Sequence, residues 1–174
     1  MQQWNIGTGF SYFNPDYGQF HLAGGTLWLD ETPAMMPQFL RGLSLDFEAR
    51  DLSLGRAPRE PIIRVDTAGG GAIYRLTHFS KIRPYGKFTA SLGNIDYMTS
   101  ATHRFNQSRT VIGMGGGVEI RAYRAVWVRA DYEYQDWPNF WVTRASGYRT
   151  GAALDPAGFT LGAIYHFGRD RRVY

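Results

Sequence analysis

The chain has 174 residues, of which 20% are charged and 16% aromatic, with a formal net charge of +4 and no cysteine. This length points to one domain, and the missing cysteines exclude disulfides and thiolate metal sites. No run approaches the roughly 18 apolar residues of a spanning helix, so any membrane crossing has to be made by strands. A mean hydropathy of −0.34 does not argue against that, since only alternate residues of such strands meet lipid.

In chain order, Trp4–Asn14 alternates, with Ile6, Thr8, Phe10 and Tyr12 on one side and Asn5, Gly7, Gly9 and Ser11 on the other. That period of two predicts a strand. Asn14–Gly18 reads as a turn, since Pro15 and Gly18 supply its backbone angles. Phe20–Asp30 is the second strand, and its pattern changes phase at Gly24-Gly25 as a bulge would require. Glu31–Gly42 is a connection. Leu43–Arg50 sets Leu43, Leu45, Phe47 and Ala49 against Ser44, Asp46, Glu48 and Arg50. Asp51–Pro61 is a polar loop. Ile62–Leu76 is the fourth strand, with Arg64 and Asp66 on its wet face and a bulge or bend expected at Gly69–Gly71.

Thr77–Gly86 reads as a turn and Lys87–Tyr97 as the fifth strand, with Phe88, Ala90 and Leu92 apolar. After a polar loop, Met98–Arg109, the sixth strand covers Thr110–Tyr123, and a tight turn at Arg124-Ala125 leads into the seventh, Val126–Trp137. There Val126, Val128, Ala130, Tyr132 and Tyr134 oppose Trp127, Arg129, Asp131, Glu133 and Gln135. Pro138–Pro156 is the longest predicted loop. The last strand, Gly158–Phe167, carries Phe159, Leu161, Ala163, Tyr165 and Phe167 on one face and smaller residues on the other.

Eight amphipathic strands with an even count suit the smallest membrane barrel, with both termini on one side. The closing strand ending in Tyr165-His-Phe167, with Arg83–Lys87 and Asp131–Trp137, resembles the small porin-like outer-membrane family of OmpA and OmpX architecture. The resemblance implies an all-β, eight-stranded, up-and-down antiparallel transmembrane barrel over residues 1–167, followed by a short basic tail, 168–174. It also implies the bacterial outer membrane, no catalytic role and no cofactor, in a protein that stabilises the envelope or presents loops to a partner. Met1-Gln2-Gln3-Trp4 has neither a basic start nor an apolar run, so the sequence reads as a mature chain.

The candidate lumen charges are Asp46, Glu48, Arg50, Arg64, Asp66, Glu119, Arg121, Arg129, Asp131 and Glu133. A hairpin turning at Arg124 puts Glu119 opposite Arg129. An eight-stranded barrel is just wide enough for side chains to fill it, so a salt-bridged interior is expected, with a narrow ion path as the alternative. Trp4, Tyr12, Trp28, Tyr97, Tyr123, Tyr132, Tyr134, Trp137, Tyr165 and Phe167 are expected to form two interfacial girdles. Arg56, Arg59, His103, Arg104, Arg109, Arg144 and Arg149 fall in predicted outer loops, where they would meet lipopolysaccharide phosphates, and Phe140 and Trp141 would meet a protein partner. The arginines are dispersed rather than striped, which argues against nucleic acid.

The sequence offers three chemical alternatives. Asp131 and Glu133 lie about 7 Å apart on one strand face, a glycosidase-like spacing, but arginine neighbours and a filled lumen leave no cleft. His78 and Ser80 resemble the His-x-Ser pair of lipid A deacylases but fall in a predicted inner turn. Gly113–Gly117 lacks the strand-to-helix context and the Lys-Ser/Thr of a phosphate loop. The four histidines show no ligand spacing, so no metal is expected. A soluble lipocalin-like carrier would need aromatics inside and charges outside.

Overall fold

The computed structural model describes residues 3–16, 21–33, 37, 40–54, 62–79, 81–100, 103–143 and 149–167. Among these, nine strands form: β1 (Gln3–Asn14), β2 (Leu22–Thr32), β3 (Leu43–Leu54), β4 (Ile62–Arg75), β5 (Ile82–Ser100), β6 (His103–Tyr123), β7 (Val126–Thr143), β8 (Arg149–Leu154) and β9 (Ala157–Phe167). Each neighbouring pair is antiparallel. The ladder runs from β1 through β2, β3, β4, β5 and β6 to β7, then to β9 and back to β1. The sheet is therefore closed and has eight staves. The last stave is built in two pieces, because β7 pairs with β9 along its first half and with β8 beyond Trp137. Closure removes the edge strands that an open sheet would have to protect.

The period-2 reading of β1, β3, β7 and β9 holds residue by residue, because one face meets the packed interior and the other does not. The phase change in β2 is a register shift between Ala23 and Gly24, as expected. The bend expected at Gly69–Gly71 is absent: the register passes through it unbroken, and the irregularity lies at Ile62/Arg64 instead. These glycines serve close approach, since a Cβ on Gly71 would strike the Phe88 carbonyl. Arg124, at φ 39°, makes the expected tight turn into β7, and Asn14 Oδ1 accepts from the Asp16 amide at 3.0 Å at the end of β1.

The strands are longer than the sequence pattern indicates. β5, β6 and β7 run for 19, 21 and 18 residues. Met98–Arg109 is not a loop, because β5 and β6 pair up to Ser100 and His103. Pro138–Thr143 continues β7, with Pro138 at a register shift where its missing N–H does no harm. Pro84, predicted in a turn, sits near the start of β5, where its carbonyl accepts from the Leu76 amide at 2.8 Å. The barrel thus has one end, called the short-turn end after its tight turn at Arg124-Ala125, which also holds β1's start, β9's end and the 33–42 connection, and a hairpin end where β5, β6 and β7 are drawn out beyond the wall.

Candidate functional site

Most of the expected lumen charges do point inward. Asp46, Arg50, Glu119, Arg129, Asp131 and Glu133 are buried, and Glu48 is nearly so. Gln135, read on the same face as Glu133, joins them. So do Asp30, Arg75, Tyr85 and Lys87, all missed by sequence reasoning. The missing signal was parity: Asp30 shares a face with Thr26 and Trp28, and Lys87 lies opposite Phe88, Ala90 and Leu92.

The network has two linked centres. In one, Lys87 Nζ lies 2.8 Å from Glu48 and 3.1 Å from Asp131, and also pairs with Glu133. Arg50 pairs with Glu48 and, at 3.1 Å, with Glu133, while its guanidinium stacks on the Phe13 ring at 4.3 Å. In the other, Arg129 donates from Nε to the Tyr85 hydroxyl at 3.0 Å, and that hydroxyl donates to Asp131 at 2.7 Å. Arg129 also stands 3.6 Å from both Asp30 and Asp46, between the rings of Trp28 and Tyr85. Arg75 binds Asp30 and donates to Glu119 at 3.0 Å. Glu119 does stand opposite Arg129 in register. The charges reach across the lumen to strands on the far wall, so the interior is filled as an eight-stave barrel demands.

Above this network, at the hairpin end, the interior becomes apolar. Phe13, Leu22, Leu52, Ile62, Val65, Ile95, Tyr97, Val111, Trp137 and Leu154 form one buried cluster. The Trp137 indole N–H donates to Gln135 at 2.9 Å, and Gln135 donates to Glu133 at 2.6 Å, tying this apolar cap to the charges below. Gly93 makes room for the cap, since a Cβ there would strike the Trp137 ring.

Outside, the polarity is reversed. Ile6, Phe10, Leu27, Phe47, Phe88, Leu92, Met114, Leu161 and others are exposed around the wall. Trp4, Tyr123, Tyr165 and Phe167 are exposed toward the short-turn end, and Tyr12, Tyr132, Tyr134 and Phe159 toward the hairpin end. The Tyr132 and Phe159 rings lie 4.8 Å apart, centre to centre. A lipocalin-like carrier would have these faces exchanged.

Several expectations need correction. Arg64 and Asp66 face outward and bond each other at 2.9 Å, with half of the Arg64 side chain exposed. They lie above the apolar belt, level with the cap, where the outer surface is wet. Arg121 is exposed at the short-turn end and bonds the Arg124 carbonyl at 3.0 Å. Trp28, Tyr97 and Trp137 are inside rather than in a girdle, because guanidinium stacking and the cap supply their partners.

The outer-contact residues Arg104, Arg109, Phe140, Trp141 and Arg149 lie on strands, together with His103, and not on loops. Arg56, Arg59, Arg144, Ser80 and the 168–174 tail lie outside the described residues; His78 is exposed in the turn before β5. Asp131 and Glu133 share Lys87 and face no cleft. Gly113–Gly117 is strand.

A closed, up-and-down antiparallel barrel of eight staves, with an apolar outside and a charged, filled inside, is the architecture of the small outer-membrane barrels. No family model matches the chain, and no curated protein does. Among solved structures it is similar to Neisserial surface protein A, at 13% identity over 94% of this chain and 96% of that one, with a TM-score of 0.68. It is also similar to Ail, the attachment invasion locus protein of Yersinia pestis, at 17% identity, 95% and 97% coverage and a TM-score of 0.58. The N-terminal barrel domain of Pseudomonas aeruginosa OprF aligns at 16% identity, 94% and 97% coverage and a TM-score of 0.57. Likeness at these identities establishes the fold.

Proposed function

We propose that this chain is a non-catalytic barrel of the bacterial outer membrane that strengthens the envelope and offers its extended hairpins to a partner. The observation that carries this is the pairing of an exposed apolar belt with an interior closed twice, by ion pairs and by the apolar cap. A filled lumen supports a wall rather than a pore, and its charges are already engaged with one another rather than lining a cleft for chemistry. From Trp4 to Tyr12 the belt follows the strand for about 27 Å at ~3.4 Å per residue. A tilt of about 40° reduces this to about 21 Å, near the ~25 Å band of such barrels.

The hairpin end supports the partner role. Above Ile112 and Asp136 the ladder between β6 and β7 parts; β5 stays paired with β4 up to Tyr97, beyond which β5 and β6 pair only with each other, and β7 continues with β8. Arg104, Arg109 and Arg149 lie on strands at this end; together with Arg56, Arg59 and Arg144 they are proposed to meet lipopolysaccharide phosphates, with Phe140 and Trp141 offered to protein. Ail has been solved with the heparin analogue sucrose octasulfate, a polyanion, which is in keeping with a basic hairpin end.

The test is folding with and without detergent, followed by heat-modifiable gel mobility and circular dichroism, then single-channel recording. A β-rich, heat-modifiable species formed only with detergent or lipid, and silent in conductance, is expected. A folded, monodisperse chain in plain buffer would refute membrane insertion, and steady unitary currents would turn the reading to a narrow channel.

A further inference from the structure

The short-turn end carries basic side chains that the interior network does not use. Among the described residues there, Arg41, Lys81, Arg83, Arg121 and Arg124 stand against one carboxylate outside that network, Glu31. Three of these cations are gathered in one sector. The Arg121 amide donates to the Lys81 carbonyl at 2.9 Å, which sets the two residues side by side where β6 ends and β5 begins. Arg121 Nε donates to the Arg124 carbonyl at 3.0 Å, so its side chain lies back over the tight turn. Behind them Arg83 stacks on the Trp127 ring at 4.2 Å. Lys81, Arg121 and Arg124 are all exposed, and no carboxylate among the described residues pairs with them. Like charges held together in this way repel until an anion joins them.

Their depth indicates which anion. Ile82, Ile120 and Tyr123 are next in sequence to Lys81, Arg121 and Arg124, and they are 46%, 45% and 63% exposed on the outer wall. The Arg124 guanidinium stacks on the Tyr123 ring at 5.2 Å. One strand residue spans ~3.4 Å, so the charges begin about one step below the edge of the apolar belt. Trp4, Tyr165 and Phe167 are exposed toward the same end, and such aromatic residues sit at the level of the lipid head groups. The tight turn carries the cations no farther out.

We propose that this sector binds an anionic phospholipid of the leaflet at the short-turn end, with Lys81, Arg121 and Arg124 around its phosphate. Guanidinium forks match phosphate oxygens, and Lys81 adds a point charge beside them. A zwitterionic head group brings its own ammonium, which meets repulsion from the same three cations. The proposal rests on the barrel being inserted in a bilayer with its hairpin end outward, as argued above.

The test is electron paramagnetic resonance of the full chain in phosphatidylcholine nanodiscs. Spin-labelled phosphatidylglycerol or phosphatidylcholine is added in turn, and the motionally restricted fraction is read. Phosphatidylglycerol is expected to be favoured by roughly fivefold, the scale of one basic side chain at an anionic surface. The triple change Lys81→Gln, Arg121→Gln and Arg124→Gln should remove most of that preference. Arg121→Lys with Arg124→Lys, which keeps the charge, should retain it, as should Arg104→Gln with Arg109→Gln at the other end of the barrel.

Equal fractions for the two lipids, a preference that survives the triple change, or one lost only with Arg104 and Arg109 would overturn the proposal. So would co-sedimentation of the folded chain with purified cell-wall sacculi that the triple change abolishes, in a protein without lipid preference, since the partner would then be an acidic polymer. Heat-modifiable mobility, measured on every sample, separates the failures. A chain without it overturns the membrane reading as well, whereas an inserted chain without head-group preference overturns this proposal alone.

Discussion

Arg129 is the residue on which the interior depends most. It is fully buried, it holds Asp131 at 3.3 Å, and it stands between Asp30 and Asp46. Removing one member of a buried ion cluster leaves the others without compensation, typically at 3–5 kcal/mol, far more than the pair contributes net. Arg129→Ala is therefore expected to lower stability by about 3–5 kcal/mol in urea unfolding from lipid vesicles. Arg64→Ala, which breaks two exposed pairs, should cost no more than ~1 kcal/mol. Comparable losses at the two sites would show that the lumen charges are not the network described. Arg129 was visible in the sequence because it alternates with Val128 and Ala130. Lys87 was overlooked because it opens the predicted strand, directly after Gly86 and the predicted turn, although Phe88, Ala90 and Leu92 fix its face.

The elements were legible where one face meets a dry medium and the other a wet one. β1, β3, β7 and β9 satisfy that along most of their length, so their faces and pairing could be read directly. The reading failed at the hairpin ends of β4, β5 and β7 for one reason. There the inside is the apolar cap and the outside is water, so the rule that assigns charges to the lumen reverses. Ile62, Val65, Tyr97 and Trp137 point in, and Arg64, Asp66 and Asp96 point out. One physical cause therefore accounts for the misplaced Arg64 and Asp66, the misplaced Tyr97 and Trp137 and the strands mistaken for loops. The cap is separable from the network below it. Trp137→Ala should cost about 3–5 kcal/mol of stability, as large aromatic deletions do, yet leave single-channel recordings silent. Unitary currents in that variant would mean that the cap alone closes the barrel.

At the scale of the whole molecule, the outer surface divides into an apolar belt and a wet crown. Ala163, opposite both Thr8 and Val128, lies in the middle of the belt, and Ser108 is exposed on the crown. Ala163→Arg is expected to destabilise the inserted barrel by about 2–4 kcal/mol, the cost of a cation at mid-bilayer. Ser108→Arg should change it by no more than ~0.5 kcal/mol. Equal effects in vesicle unfolding titrations would deny that the belt is buried in hydrocarbon.

The level at which the pattern reverses works as a draught mark on the molecule. On three adjacent strands it falls in the same place, between Ala49 and Asp51, Ala68 and Asp66, and Leu92 and Asn94. The chain thus carries its own gauge of bilayer thickness, with little slack, since aspartates begin one step above the last apolar row. A thicker bilayer has to thin locally or draw those carboxylates toward hydrocarbon, at a cost that accumulates with each ångström of mismatch. Insertion from urea into phosphatidylcholine vesicles should accordingly slow as the acyl chains lengthen, and the crown, which is built like a small water-soluble sheet, should tolerate sequence changes that the belt does not.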